Sequence, residues 1–172
     1  MANKAHHSSS GQIQKLKDPM RWVLKPNALN IVWGNDNRYW KINEEGPAEL
    51  VQVCWLEVTG STNENLTKGK NYEINFVVEM KDEGFGWNGC PIFIMAKIGK
   101  KGKYKWDKVN FSDLPKNVKT QIPISNGGFV FKVPQDLGSD DTVLHFGLYE
   151  VWTGRWKGGF LIHEAQVKEL PY

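Results

Sequence analysis

The chain has 172 residues, 40% of them hydrophobic and 12% aromatic, with a formal charge of +3. That length holds a hydrophobic core without disulfide or metal staples, and so mild a positive charge does not imply wholesale binding of nucleic acid. No run approaches the roughly 20 apolar residues of a membrane span. The two cysteines, Cys54 and Cys90, stand in no CxxC or Cys/His spacing, so the sequence implies no zinc site, no disulfide framework and no cofactor.

The opening MANKAHHSSSGQIQKLKDP is polar and lacks the apolar stretch of a signal peptide. Residues 1–19 therefore read as a disordered arm on a protein made in the cytosol, and residues 20–172 as a single domain. From Leu29 onward apolar residues recur at alternate positions, the period of a strand with one face in the core. The runs are Leu29–Ile31–Trp33, Val51–Val53–Trp55, then Tyr72 through Val78, Phe129–Phe131–Val133, Leu144–Phe146–Leu148, and Leu161–His163–Ala165–Val167. Turn clusters such as Thr59-Gly60-Ser61, Ser125-Asn126-Gly127-Gly128 and Gly138-Ser139-Asp140-Asp141 separate them. Only NFSDLPKNV, residues 110–118, invites a short helical turn. The fold class is all-β, an antiparallel, jelly-roll-like sandwich with little or no helix.

Residues 84–89, GFGWNG, satisfy the dinucleotide-binding GxGxxG pattern, but Cys90-Pro91 and a β-rich run follow where a helix N-terminus is needed. The segment reads as an inter-strand loop that carries one more aromatic, Trp87. Six lysines between Lys97 and Lys108 flank Tyr104 and Trp106, a pattern of either a solvated hairpin or a phosphate-tracking patch. His145 and His163 are the only histidines past the arm, and neither is placed as a base beside a nucleophile, so no catalytic constellation is legible and the chain reads as a non-enzyme. Glu150 shares the parity of Leu144, Phe146 and Leu148. A carboxylate on that inward face needs either an ion pair with Arg155 or Lys157 or a ligand.

The segments RWVLKPNALNIVWGNDNRYWKI (21–42), LVQVCWLEVTG (50–60) and LYEVWTGRWKGGFLI (148–162), with the strand from Leu66 to Val78 between them, resemble the phloem protein 2 family, which includes the tobacco-leaf type of lectin. The resemblance spans about Arg21 to Pro171. It implies a β-sandwich lectin for chitooligosaccharides, in some members also for N-glycan cores, working as a homodimer in the cytoplasm or phloem sap, with nuclear entry and RNA binding or filament formation as the alternative roles. The tryptophans implicated in the tobacco-type site match Trp33 and Trp40, and an implicated glutamate matches Glu150. A second implicated glutamate falls at Val143.

On that resemblance the aromatics of residues 30–42 gain a purpose. A pyranose has a C–H face and a polar rim, and tyrosine and tryptophan join an apolar body to a polar handle. The expected site is Trp40 and Tyr39 for the face, Asn35, Asp36, Asn37, Arg38 and Glu150 for the rim, with Trp33 and Trp156 beside them. Trp40 follows the turn and is expected to be exposed, whereas Trp33 obeys the strand alternation and is expected to lie partly in the core.

Overall fold

A computed structural model describes residues 6–9, 11–17, 20–43, 45–123 and 128–171. Thirteen strands follow in chain order: β1 Gln14–Leu16, β2 Arg21–Leu24, β3 Asn30–Ile31, β4 Trp40–Ile42, β5 Ala48–Leu50, β6 Leu56–Asn65 and β7 Asn71–Phe85. The second half adds β8 Ile92–Ile98, β9 Lys105–Val109, β10 Lys119–Ile122, β11 Phe129–Lys132, β12 Val143–Glu150 and β13 Gly158–Glu169. Among the described residues the strand pairings are all antiparallel and build two sheets. One has five strands in the order β3-β6-β12-β8-β9, and the other is eight-stranded, with β13 between β7 on one edge and β2 and β5 on the other. Helical structure among the described residues is limited to short 3-10 turns such as Phe111–Asp113, where Asn110 accepts from the Ser112 N–H. No helix of the described residues is long and apolar enough to cross a membrane.

The core forms where alternate residues of both sheets meet. Phe76 of β7 and Phe146 of β12 touch edge to face at 5.8 Å, joining the two layers. Gly60 of β6 lies where an added Cβ would stand about 3 Å from Leu24, Leu29 and Phe146, so the close packing of the layers depends on its having no side chain.

Three sequence expectations need correction. Within the expected arm, residues 14–16 form β1 against β2, and His7 bridges Ile31 through two backbone hydrogen bonds of 2.8 Å. Backbone pairing with edge strands orders this polar segment without a hydrophobic core of its own. Residues 1–5, 10, 18 and 19 of the arm lie outside the described residues, as do residues 124–127 of one turn cluster. In β13, Phe160 and Ile162 are buried, then Ala165 and Val167, because the register against β7 shifts between Ile162 and Glu164. That bulge reverses the parity expected for Leu161 and His163, and His163 faces outward to Glu79 at 3.0 Å. Residues 51–55 are not a regular strand; Val53 makes a single bridge to Lys157, and β6 starts afresh at Leu56.

Candidate functional site

The two tryptophans of residues 30–42 exchange the roles expected for them. After β3 the chain turns with Trp33 at φ 66°, a left-handed conformation that costs a bulky residue about 1–3 kcal/mol. That residue breaks the strand alternation and swings the indole out, leaving it 39% exposed. Hydrogen bonds from Tyr39 N–H and Trp40 N–H to the Asp36 carbonyl, 2.9 and 3.0 Å, close the turn and return the chain to β4 with opposite parity. Trp40 is therefore 1% exposed and packs edge to face on Phe160. It belongs to the core, and its expected place as the exposed platform is corrected.

The exposed Trp33 starts an aromatic wall. Its ring lies 5.7 Å from Tyr39, and Tyr39 stacks at 6.2 Å and 27° on Trp156. With Trp55 opposite and Val53 and Cys54 at the floor, these rings enclose a cleft of about 260 Å³. The ordered arm extends the wall: His6 meets Trp33 edge to face at 5.5 Å, and its Nδ1 accepts from the Trp33 backbone N–H at 2.9 Å. Trp55 was hidden from sequence reading by its apparent continuity with Val51 and Val53. The clue is that Leu56 and Val58 carry the next inward positions, so Trp55 falls on the outward parity.

Polar groups surround the cleft. Arg38 donates from Nε and Nη2 to the two Asp36 carboxylate oxygens at 3.0 and 2.7 Å while its guanidinium lies 5.1 Å from the Tyr39 ring. The Arg38 hydrogen bonds hold the Asp36 carboxyl below its ordinary value. Asn35 donates to the His6 carbonyl at 2.9 Å, and Asn37 is exposed on the turn. Trp55 Nε1 donates to Glu57 at 3.0 Å, which fixes the indole plane.

Glu150 is held by groups of the protein itself. It is 1% exposed and forms a 2.9 Å ion pair with Lys157, itself fully buried. The Thr153 hydroxyl and the Cys90 thiol also donate to this carboxylate, and the backbone N–H groups of Trp152 and Thr153 donate to its second oxygen at 3.2 Å. Lys157 Nζ completes its set with the carbonyls of Cys54 and Arg155, 3.1 and 2.9 Å. The structure does not bring Glu150 to the cleft expected for it: Glu150 and Lys157 clamp residues 151–157, the loop that carries Trp152 and Trp156, and Glu150 lines a groove beside Trp152. Gly86 at φ 84° supports the same loop, since a Cβ there would stand 2.1 Å from the Trp156 carbonyl oxygen. Trp87 is core, 3% exposed and donating to the Gly158 carbonyl.

Burial opposes ionisation of Glu150, but hydrogen bonds from Thr153, Lys157 and Cys90 outweigh it and hold the carboxyl at about 2 against an ordinary 4.5. A folded-state value below the unfolded one means the stabilisation is complete above about pH 4.5 and is lost as pH falls towards 2. Its size is about 3 kcal/mol. Thermal melts between pH 5 and 2.5 are expected to show a steep loss of stability in the parent and a shallower one in Glu150→Gln/Lys157→Met, which lacks the pair. Equal slopes would remove Glu150 as the acid-sensitive group.

Known proteins resemble this chain as follows. The phloem protein 2 family profile matches residues 20–168. Protein PHLOEM PROTEIN 2-LIKE A9 of Arabidopsis thaliana is 44% identical over 178 aligned positions, covering 96% of this chain and 97% of that protein. A lectin of Luffa acutangula is 32% identical across 69% of this chain and 58% of its own length. Among solved structures, the CBM22-1 xylan-binding domain of Paenibacillus barcinonensis Xyn10C superposes over 97% of this chain and 94% of that domain, with a TM-score of 0.42 and 13% identity. The family profile runs from just before β2 to the end of β13, and a full-length relative shares nearly half of the residues; the chain belongs to the phloem protein 2 family.

Proposed function

We propose that the protein is a non-catalytic lectin that binds chitooligosaccharides in the cleft of Trp33, Tyr39, Trp55 and Trp156. The observation that carries this reading is the cleft itself: three indoles exposed by 39 to 49% converge with a tyrosine on one end of a rigid sandwich. Such rings offer flat apolar area to the C–H face of a sugar, and Asn37 and Arg38 stand on the adjoining turn for its hydroxyls. The Luffa relative, itself a lectin, supports the same class of ligand.

The floor favours N-acetylglucosamine over glucose. Val53 and Cys54 line the cleft together with the aromatic rings, a mainly apolar surface that gains by covering an acetamido methyl and offers little to a bare hydroxyl. At about 260 Å³ the cleft falls just below the usual range of ligand sites, which begins at roughly 300 Å³. It therefore holds part of an oligomer and leaves the remainder in solvent, where a chitin surface or an N-glycan core lies equally well. Single sites of this size bind weakly, and a homodimer in the cytoplasm or phloem sap supplies avidity.

Calorimetric titration with chitotriose and with cellotriose, which differ in the 2-acetamido group, tests the reading. Chitotriose is expected to bind at least tenfold more tightly, and chromatography after long incubation is expected to return it intact. Equal affinities would remove the acetamido argument, and cleavage products would make the protein an enzyme. Single-stranded RNA offered to the Lys97 to Lys108 segment is expected to bind more weakly, with a steep salt dependence.

A further inference from the structure

The two most exposed large hydrophobic residues of the described chain, Trp152 at 59% and Trp106 at 57%, take no part in that cleft. Both stand on Phe93, at 5.1 and 5.3 Å and at steep angles of 82° and 75° to its ring. Phe93 lies on the outward face of β8 in the five-stranded sheet. With Pro91, Met95, Glu150 and Thr153 these rings line a groove of about 430 Å³ that shares no lining residue with the cleft.

Strand register extends the groove across the sheet. Phe93 pairs with Tyr149, which pairs in turn with Glu57, and two same-face rows along, Lys97 pairs with His145 and His145 with Ser61. Gly147 between these rows has no side chain, and the Tyr149 ring comes within 3.0 Å of where its Cβ would stand, so the tyrosine lies low along the sheet. Glu57, Ser61, Lys97, Tyr104 and His145 line a second, polar groove of about 350 Å³ together with Tyr149, the strand neighbour of Phe93. The two grooves meet at the Phe93–Tyr149 pair, and from β9 to β6 the face spans about 14 Å.

We infer that this outer face of the five-stranded sheet is a second glycan-binding surface, taking a linear oligosaccharide of several units. An apolar aromatic floor leading to a rim of mixed charge, hydroxyls and an imidazole complements a polyhydroxylated ribbon. It does not complement an anion, because Glu57 stands among the lysines, nor a wholly apolar partner. The inference rests on the lectin reading for its ligand class but uses none of the cleft's residues, so one chain carries two sites facing different ways.

Calorimetry with chitotriose and chitohexaose on the parent, Trp106→Ala, Trp106→Ala/Trp152→Ala and Trp156→Ala tests it. Trp106 lies on edge strand β9 and is no part of the cleft lining, so Trp106→Ala tests the face with every cleft residue in place; circular dichroism checks the fold of each variant. Trp106→Ala is expected to lower chitohexaose affinity at least fivefold, and the double variant more, with chitotriose binding unchanged. Trp156→Ala is expected to lose chitotriose binding and keep a chitohexaose-binding event. Unaltered chitohexaose binding in the double variant would overturn the second face while leaving the cleft intact. Loss of chitotriose binding in neither variant would instead count against the cleft. Conversion of a dimer to a monomer by Trp106→Ala with sugar binding unchanged, or protection of Trp106 by single-stranded RNA but not by chitohexaose, would assign the face to another partner and overturn the inference.

Discussion

Glu150→Gln is expected to lower stability by about 3–5 kcal/mol, because the neutral amide leaves the fully buried Lys157 ammonium without its counter-charge. Urea denaturation measures it. The consequence for function follows from position. The Glu150 carboxylate holds the backbone N–H groups of Trp152 and Thr153, and Lys157 holds the Cys54 carbonyl at the cleft floor. Sugar affinity is therefore expected to fall together with stability, through displacement of Trp156. Glu150→Gln/Lys157→Met, which removes both charges and keeps their bulk, is expected to recover most of the stability. A Glu150→Gln variant as stable as the parent but unable to bind sugar would show instead that the carboxylate contacts the ligand directly.

Trp40→Ala is expected to cost about 3–5 kcal/mol, the loss typical of a large aromatic truncated in a core. Its indole is 1% exposed and sits against Phe160, which also packs on Trp87 and Phe111, so the cavity opens in the middle of an aromatic cluster. Trp40→Phe is expected to cost less than half as much, since the indole N–H finds no hydrogen-bond partner among the described residues and its removal forfeits no bond. Trp33→Ala, by contrast, removes an exposed ring from a strained backbone. It is expected to change the melting temperature little and to weaken sugar binding by about 1–3 kcal/mol. Thermal melts of the three variants decide between core and platform: a stable Trp40→Ala beside an unfolded Trp33→Ala would restore the roles that strand alternation implies.

How far the sequence reveals this arrangement depends on where period-2 counting holds. Tyr72 to Val78 and Leu144 to Leu148 keep their own alternation, since the shifts against β7 add their extra residue to β13, and their apolar inward residues are the ones alternation names. Counting fails wherever one residue changes the backbone hand or adds to a strand. A left-handed Trp33 inverts Trp33 and Trp40, a restart at Leu56 conceals Trp55, and a bulge before Glu164 misplaces His163. Trp33 is neither Gly, Asn nor Asp, the residues that ordinarily advertise positive φ, so that inversion had no local signal. The ion pair of Glu150 was legible as one of two alternatives, because inward parity beside Arg155 and Lys157 demands a partner. Which of the two cations supplies it depends on the path of the loop, which packing against Gly86 and Cys54 sets.

The eight tryptophans divide cleanly enough for one spectrum to test the cleft. In 15N-labelled protein each indole N–H gives its own signal, assigned by tryptophan-to-phenylalanine variants. On titration with chitotriose the signals of Trp33, Trp55 and Trp156 are expected to shift in parallel with saturation, while those of the buried Trp22, Trp40 and Trp87 stay in place. Saturable binding that moves none of the three cleft indoles would contradict the account.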